Sequence, residues 1–595
     1  MEPVIEPTSP SEGEAGEASQ NPVAFTEKSS SSELSQSPAR GRGRGRGRGQ
    51  GSGHNHTMKR GAGHALKMKS ASRKPRGRSR KSSTAQCLKL PAPNQHDGLE
   101  ETSDSTETAR IGAAIRASCS GVGEEEVTSS EEACATEAAA VQGSCGIPHS
   151  SGVFDYALWL LQRLTEKERL KLTQSFSWID LCAGLGTPEI VYEALGRAMK
   201  FHNLSPAGVC TGLTENNSAT RAFLRRCILP THNPPPSIFT DNALLTNRIL
   251  SDDQGISKDL PVADHILMGI VCVDISVCTS TPKSLSDPTG KTGKSWLPFL
   301  DYLDFLKYEE RPNSITLECV DNLGRSRSLC DRVEKGTLVV IQALKERGYV
   351  GQWRKVSPTY FFLPQRRPRV WGLFLKLRRG HGPKAIAARQ IDVDQAFHFI
   401  ESSQTACREP LQNVLGRFQC WQAPQNPKPR KRPKTQSLLI GSKQAEIKFI
   451  SQHNLSDEDL SQGQAEFLSI TSGTLVPRQQ AVVWLELCKL RKKGTIPNWK
   501  EGLLVTDCGS SLGWLTVAKD VFPCILPTKA HLILEHGEPS VAHGFLCLAL
   551  QGIGRAEAAA FHLSSEENTL LHRLAGNALC ANICLVYLVA ALLFA

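Results

Sequence analysis

The chain has 595 residues and a formal net charge of +11, from 70 Lys and Arg against 59 Asp and Glu. This length leaves room for two or three domains. Its 19 Cys include no C-x-x-C pair, which excludes a zinc-finger array and predicts no metal site. No apolar signal sequence opens the chain, so we expect reduced thiols in the cytosol or nucleus.

Residues 1–150 are rich in Ser, Gly, Glu, Ala and Arg and are predicted to be disordered, because they offer little apolar surface to bury. Two basic islands stand out within them, Arg40 to Arg48 and Ser72 to Lys81. In the second island, Arg76 and Arg78 form an Arg-Gly-Arg triplet that resembles the core of an AT-hook, whose arginines enter the DNA minor groove. Nuclear import and binding of single-stranded RNA are the alternatives.

The folded part begins near Phe154 with a predicted amphipathic helix. A short strand follows, Ser177 to Cys182, and leads into a turn that contains Gly184 and Gly186. The next helix is predicted at Ile190 to Met199. Strand, glycine turn and helix together bring a nucleotide-like ligand to the backbone, although many α/β turns carry such glycines for tightness alone.

Three further predicted strands end at acidic residues. The strand Ala207 to Leu213 leads to Glu215, which can accept hydrogen bonds from ribose hydroxyls or can be a carboxylate at the start of the next helix. A third short strand leads to Asp241. The fifth strand, Ser314 to Leu317, leads to Glu318. Each of these acids follows the end of a predicted strand, where an open α/β sheet places its chemistry.

The fourth strand ends at a cysteine. The apolar run Ile266 to Val271 is typical of a buried parallel strand, and Cys272 follows it directly. Because chemistry in an open α/β sheet lies beyond the carboxyl ends of the strands, Cys272 occupies the place of a nucleophile. The alternative is a small buried thiol. Cys278 is the nearby competitor, just before the polar loop Ser280 to Ser295.

The second half of the chain is less regular. Thr359 to Leu363 and Val370 to Leu377 are predicted to form a hairpin. Residues 380–545 are predicted to hold a linker and a target-recognition region, in which Pro427 to Lys434 is a second candidate import signal.

The last 18 residues, Ala578 to Ala595, carry no charge and approach the length of a membrane span. They contain Asn582, and the predicted α/β pattern still lacks a covering helix. We therefore expect a buried core helix and no membrane partner.

Taken together, these stretches resemble the cytosine carbon-5 DNA methyltransferases over residues 177–377 and 525–595. Six stretches follow the family's order: DLCAGLGTPE, GIVCVDIS, TLECVDNL, LPQRRPRVWGLFL, LALQGIG and RLAGNAL. The resemblance implies an α/β, Rossmann-like, S-adenosylmethionine-dependent fold with a mostly parallel, doubly wound sheet. It further implies a catalytic core at 151–379, a recognition region at 380–545 and a return to the core at 546–595.

The resemblance also assigns roles to the catalytic residues. Cys272 would add to carbon 6 of a cytosine that has flipped out of the helix. Glu318 would hold the ring nitrogen and the amino group of the base. Arg369 would contact the base carbonyl with support from Arg367, and Gln365 of the same motif would contact DNA.

The cofactor implied by the resemblance is S-adenosyl-L-methionine. The residues assigned to its pocket are Asp180, Cys182, Gly184, Gly186, Glu215, Asp241 and Asn577. The two glycines would approach the cofactor, Glu215 would bind its ribose, and Asp241 would bind its adenine amino group. Asn577 would complete the pocket.

The chain departs from the family pattern at several supporting positions. Cys182 stands where the family has a Phe that stacks on adenine, and Val271 and Val273 flank Cys272 in place of Pro and Gln. Cys319 replaces an Asn. The implied function is methylation of double-stranded DNA in the nucleus, with chromatin as a further partner. The alternatives are a catalytically weakened chromatin protein that keeps the fold, and an RNA cytosine methyltransferase.

Overall fold

The computed structural model describes most of the chain beyond residue 150. The described residues are 150, 152–246, 250–275, 283–324, 336–378, 382–405, 408–418, 437–510, 512, 515–527, 529–563 and 567–595. Arg76 and Arg78, the tail around them, Pro427 to Lys434 and Cys278 lie outside these ranges, so the predictions made for them stay predictions.

The main sheet has seven strands. In chain order the strands of the first half of the molecule are β1 Phe176–Leu181, β2 Gly208–Thr214, β3 Ser237–Phe239, β4 Leu250–Ser251, β5 Ser257–Lys258, β6 His265–Gly269, β7 Ser314–Val320, β8 Tyr349–Val356 and β9 Arg369–Lys376. The sheet order is β3-β2-β1-β6-β7-β9-β8, and β4 pairs with β5 in a separate ribbon. Within the main sheet, β3, β2, β1, β6 and β7 run parallel to one another. Strand β9 runs antiparallel to both of its neighbours, β7 and β8.

The helices that belong with the main sheet come from two parts of the chain, one before and one after an inserted region. They are α1 Val153–Arg163, α2 Glu166–Lys171, α3 Thr187–Lys200, α4 Ser218–Phe223, α5 Lys291–Phe305, α6 Gly336–Glu346, α7 Pro383–Ser402 and α8 Leu411–Phe418. After the insertion come α13 Gly544–Ala549, α14 Arg555–Ala560, α15 Asn568–Asn577 and α16 Ala581–Phe594.

Alternating side chains of the central strands explain why helices cover both faces of the sheet. Trp178 and Leu267 join the apolar cluster formed with α1, α3 and α16. Ile179 and Ile266, one residue away in each strand, join the opposite cluster with α5 and α6. Parallel strands are buried on both faces for this reason. The mostly parallel, doubly wound α/β fold predicted from the sequence is confirmed.

The inserted region forms a small domain, residues 437–541. Its elements are α9 Ser437–Gln452, α10 Asp457–Ser461, α11 Gln464–Thr471, α12 Pro477–Lys492, β10 Leu503–Asp507, β11 Val517–Lys519, β12 His531–Glu535 and β13 Glu538–Val541. Its antiparallel sheet has the order β11-β10-β12-β13. Leu503 and Val505 pack into the main core, whereas Leu504 packs with the small domain's own helices. One face of the small sheet is therefore continuous with the main core.

Two expectations about the middle of the chain need correction. The hairpin partner of β9 is β8, and Thr359 to Leu363 is not a strand. Phe361 and Leu363 are fully buried, so this aromatic run fills the core as a turn. Pro358 and Pro364 flank the run and cannot donate to a sheet ladder, which explains why strand propensity fails here.

The main core also extends further than the predicted boundary at residue 380. Helices α7 and α8 contribute Val393, Phe397, Leu411 and Val414 to the cluster that packs on the sheet. The core therefore continues through Phe418, and the small domain begins after it.

All but two of the 14 residues of α16 are buried, and the helix lies against α3 and α7. Asn582 at its start donates a hydrogen bond from Nδ2 to the Phe361 carbonyl at 2.9 Å. Within the described ranges, no single helix is long and apolar enough to cross a membrane. Helices α15 and α16 meet this criterion only when they are taken together as a pair, which is bent by 46°.

Candidate active site

The predicted catalytic residues meet at one edge of the main sheet. The parallel strands β6 and β7 run side by side, with Gly269 paired to Glu318. Strand β9 runs in the opposite direction and begins at this same edge, where Arg369 pairs with Val320. The end of one strand and the start of its antiparallel neighbour therefore bring Cys272, Glu318 and Arg369 together.

An ion pair lies at the centre of this group. Arg369 Nε is 3.0 Å from Glu318 Oε1, and the two side chains are only 17% and 13% exposed. The backbone of Glu318 also accepts a hydrogen bond from the Ile270 amide at 2.8 Å, two residues before Cys272. The carboxylate and the guanidinium both lie close enough to the half-buried Cys272 to influence its charge.

The ionisation of Cys272 depends on its charged neighbours. Burial raises the pKa of the Cys272 thiol, and the negative charge of Glu318 raises it further. The guanidinium groups of Arg369 and Arg367 act in the opposite direction. As the site stands, the thiol is favoured over the thiolate, so neutralising Glu318 would activate the nucleophile.

Two contacts that the sequence analysis missed hold the segment after Cys272. Asp274 Oδ2 accepts a hydrogen bond from the Thr292 amide at 2.8 Å, at the start of α5. Asn322, in the turn after β7, donates from Nδ2 to the Ile275 carbonyl at 3.0 Å. The family's Asn is replaced by Cys319, but a different Asn three residues later supports the loop that carries Cys272.

Arg367 and Gln365 are more deeply placed than the sequence indicated. Arg367 is buried and donates from Nη2 to the carbonyls of Gly576 and Ala578, at 3.2 and 3.0 Å. It therefore ties its loop to the C-terminal part of the core.

Gln365 is fully buried beneath the small domain, whose Phe522 forms a β-bridge with it. Its side-chain oxygen and nitrogen have no hydrogen-bond partner among the described residues. The DNA contact of Gln365 stays a prediction, and it would require the buried side chain to become accessible.

The glycine turn at the end of β1 forms the other half of the site. Cys182, Gly184 and Gly186 all have positive φ values, of 63°, 55° and 77°. Glu215 accepts a hydrogen bond from the Gly184 amide at 3.0 Å and another from the Asn217 amide at 2.7 Å. The acid at the end of β2 therefore orients the turn, and Asn217 rather than Glu215 caps the following helix.

Asn577 and Asp241 lie at the rim of this half. A Cβ placed on Gly184 would lie 3.6 Å from the Asn577 carbonyl oxygen, so the C-terminal segment borders the turn. Asp241 is exposed, and its Oδ1 accepts a hydrogen bond from the Ala243 amide at 3.0 Å. Carboxylates and backbone groups at one edge suit a ligand with a ribose diol and an amino group.

Cys182 offers no ring to such a ligand. Asn242 donates from Nδ2 toward Cys182 Sγ at 3.7 Å, and the same amide donates to the Ser295 carbonyl at 3.2 Å. Burial and then the charge of Glu215 raise the pKa of Cys182 to about 12, so it remains a neutral thiol. It therefore supplies a small apolar surface where the family has an aromatic one.

Asp180 is buried at the end of β1, close to the groups of this half. It is 1% exposed and lies against the buried carboxyl group of Glu189 in α3. Burial raises the pKa of Asp180 well above its usual range, and Glu189 raises it further through its charge and a hydrogen bond. The cofactor contact of Asp180 stays a prediction, since the side chain is buried beside Glu189.

No family model and no curated protein matches the chain. Among solved structures, the Dnmt2 methyltransferase of S. pombe is 12% identical with a TM-score of 0.35, covering 70% of this chain and 98% of that one. A DNMT2 mutant from Spodoptera frugiperda is 11% identical with a TM-score of 0.31, covering 70% and 99%. Methyltransferase EhMeth of Entamoeba histolytica is 10% identical with a TM-score of 0.35, covering 70% and 98%. The fold assignment rests on the strand order itself.

Proposed function

We propose that this protein transfers a methyl group from S-adenosyl-L-methionine to carbon 5 of cytosine in DNA, through a covalent bond to Cys272. The observation that carries the proposal is the convergence of a half-buried thiol with the Glu318–Arg369 ion pair at the carboxyl edge of a parallel sheet. A nucleophile, a proton-holding group and a carbonyl donor are the three groups that this chemistry requires.

The residues act on the base in a defined order. The Cys272 thiolate adds to carbon 6 while Glu318 holds the proton on ring nitrogen 3, so carbon 5 gains the electron density of an enamine. Arg369 donates to the base carbonyl and stabilises the charge that develops there. S-adenosyl-L-methionine, when bound, supplies an electrophilic methyl group. Loss of the carbon 5 proton then restores the double bond and releases Cys272.

Binding of the base explains how Cys272 becomes ionised. When Glu318 shares a proton with the base, its negative charge no longer opposes the thiolate. The charges of Arg369 and Arg367 continue to lower the pKa of Cys272. The thiol is therefore activated by the substrate and remains protected while no base is present.

The residues of the glycine-turn half fit the cofactor in part. Glu215 would bind the ribose, Asp241 the adenine amino group, and the turn with Gly184 and Gly186 would approach the ligand closely. Asn577 would border the pocket from the C-terminal segment. The missing ring at Cys182 predicts weak cofactor binding, because stacking on an aromatic side chain is worth roughly 1 kcal/mol.

Double-stranded DNA is the proposed partner, and the nucleus the proposed location. The support is the two basic islands within residues 1–150, Arg40 to Arg48 and Ser72 to Lys81, the second of which contains Arg76 and Arg78. Arginines that neutralise phosphates release counterions, so DNA binding should weaken steeply with salt. Deletion of residues 1–150 should flatten this salt dependence, and an unchanged slope would assign the tail to import instead.

A catalytically weakened protein that binds DNA or chromatin partners is the second candidate. Two observations favour it: the thiol of Cys182 in place of a ring, and the exposed Val273 beside Cys272, whose side chain is 49% exposed and can form no hydrogen bond to a base. The two candidates differ in whether a covalent bond to the base forms.

A mechanism-based trap separates the candidates. A DNA duplex with 5-fluorocytosine at target sites should remain covalently attached in the presence of S-adenosyl-L-methionine, because fluorine cannot leave as the proton does. Cys272→Ser should abolish the adduct, since a hydroxyl is far less ionised than a thiol near neutral pH. Cys278→Ser is the matched control and should leave it intact.

Other outcomes assign other functions. An adduct with RNA and none with DNA would make RNA the substrate. If neither adduct forms although the folded protein binds DNA, the binding-protein function replaces the proposed one. An adduct that maps to Cys278 would contradict the role of Cys272.

A further inference from the structure

A loop of the small domain reaches the edge of the main sheet. The loop connects β11 to β12, and Phe522 within it pairs with the segment before β9. The Phe522 amide donates to the Pro364 carbonyl at 2.8 Å, and the Arg366 amide donates to the Phe522 carbonyl at 2.8 Å. Two backbone hydrogen bonds therefore fix this loop beside the residues that lead to Arg369.

Cys524, two residues further along the loop, contacts the candidate catalytic arginine. Arg369 Nη2 donates to Cys524 Sγ at 3.6 Å. The thiol itself donates to the Ile525 carbonyl at 3.7 Å. Its proton is therefore committed to the backbone, which leaves a sulfur lone pair to accept from the guanidinium.

The contact with Cys524 limits the orientations that the guanidinium plane of Arg369 can adopt. A guanidinium has five N–H donors in a rigid plane. Here Nε bonds to Glu318 at 3.0 Å, Nη1 to the Pro368 carbonyl at 2.9 Å, and Nη2 to Cys524 at 3.6 Å. Three bonds in different directions fix the plane, and the other two donors have no acceptor among the described residues.

We propose that Cys524 is a positioning residue that orients Arg369 toward the carbonyl of the target base. This inference rests on the proposed role of Arg369 in cytosine methylation. The small domain then supplies part of the candidate active site. A shift of this domain would withdraw Cys524 and leave the guanidinium free to rotate about the remaining contacts.

The variant Cys524→Ala tests the proposal in the full-length protein. We expect its kcat for methylation of duplex DNA to fall about fivefold to tenfold, with KM nearly unchanged, because a misoriented donor affects the transition state. Cys524→Ser should recover part of the loss, since a hydroxyl can also accept from Arg369. Cys508→Ser, at a thiol that donates to the Thr506 carbonyl within the small domain, is the matched control.

A double-mutant cycle separates positioning from a structural role. In an Arg369→Ala background, adding Cys524→Ala should lower kcat by less than about twofold, because the group that Cys524 positions is gone. An equal loss in both backgrounds would overturn the proposal. So would a rise in KM without a fall in kcat.

The same double-mutant cycle can also be measured by thermal unfolding, which requires no methyltransferase activity. If the two side chains are in contact, the shifts in Tm of the single variants should not add in the double variant. Additive shifts would overturn the proposal even in an inactive protein. Absence of wild-type methylation of DNA and RNA, with non-additive shifts, would reject the proposed function while retaining the Arg369–Cys524 contact.

Discussion

The two halves of the candidate site depart from the family pattern to a similar extent, but the structure compensates for the losses in only one of them. Around Cys272, the missing Asn at position 319 is replaced by a contact from Asn322, and Asp274 anchors the same loop on α5. Around the glycine turn, Asn242 fills the space next to Cys182 without providing a ring.

This difference arises from the distinct requirements of each half. For the proposed chemistry, the half around Cys272 needs fixed geometry, and any hydrogen-bond donor at the right place can hold a loop. For the proposed cofactor, the glycine-turn half needs an aromatic surface, which no hydrogen bond can replace. We therefore expect substitutions in the catalytic half to change the rate of chemistry, and substitutions in the turn half to change cofactor affinity.

The largest effect is expected for Glu318→Gln. Methyl transfer should fall about 10²- to 10⁴-fold, because Gln cannot hold a proton on the base. The same change removes a charge that raises the pKa of Cys272, so alkylation of Cys272 by iodoacetamide at a fixed pH should become faster. Both rates are measured on one preparation, with the exposed Glu346→Gln as control. Slower alkylation would contradict the assigned electrostatics.

Asn322→Ala should have the next largest effect. Loss of the hydrogen bond to the Ile275 carbonyl loosens the segment after Cys272, and methyl transfer should fall about 10- to 100-fold. Binding of S-adenosyl-L-methionine, measured by calorimetry, should not change. Asn313→Ala, at the opposite end of β7, is the matched control. A loss of S-adenosyl-L-methionine affinity as large as the loss of methyl transfer would mean that the two halves of the site are not independent.

Cys182→Phe should strengthen the weaker half. A ring at this position should tighten binding of S-adenosyl-L-methionine about fivefold, corresponding to roughly 1 kcal/mol of stacking. Cys182→Leu adds apolar volume without a ring and should gain less. Calorimetry on both variants measures the difference. Weaker binding by the Phe variant would show that another ring already occupies the adenine position.

The smallest effect is expected for Asp180→Asn and concerns stability. Burial and Glu189 raise the folded-state pKa of Asp180, so its stabilising contribution is full below the unfolded pKa of about 3.9 and is lost as pH rises through the folded value. Asn does not titrate, so we expect the variant to gain about 1 kcal/mol at neutral pH and almost nothing near pH 4. Thermal unfolding at both values measures this, with exposed Asp301→Asn as control. An equal change in stability at both pH values would contradict the raised folded-state pKa of Asp180.

Much of the fold could be predicted because its signals are local. The runs that became β1, β2, β6 and β7 are short and apolar, and a parallel sheet buries such strands on both faces. Their common direction places the carboxyl ends of all four strands at one edge, so Cys272, Glu318 and the glycine turn could be found from the sequence. The burial of α16 was expected for the same reason, since an uncharged helix must cover a sheet or enter a membrane.

The failures have a different origin. Strand propensity favoured the aromatic run Thr359 to Leu363, whereas packing placed β8 beside β9 and used the run as core filling. The bridge between Gln365 and Phe522 was not expected, because it joins segments that are far apart in the chain. The burial of Asp180 beside Glu189 was not expected either.

Cys272, Glu318 and Arg369 could be named from the sequence as candidates at the carboxyl edge of the sheet, because hydrophobic spacing and chain direction act over a few residues. The groups that surround these residues depend on long-range packing. Asn322 reaches Ile275 across 47 residues, and Cys524 reaches Arg369 across 155. Contacts at such separations depend on how the small domain and the turns pack, and no local pattern of residue types encodes that packing.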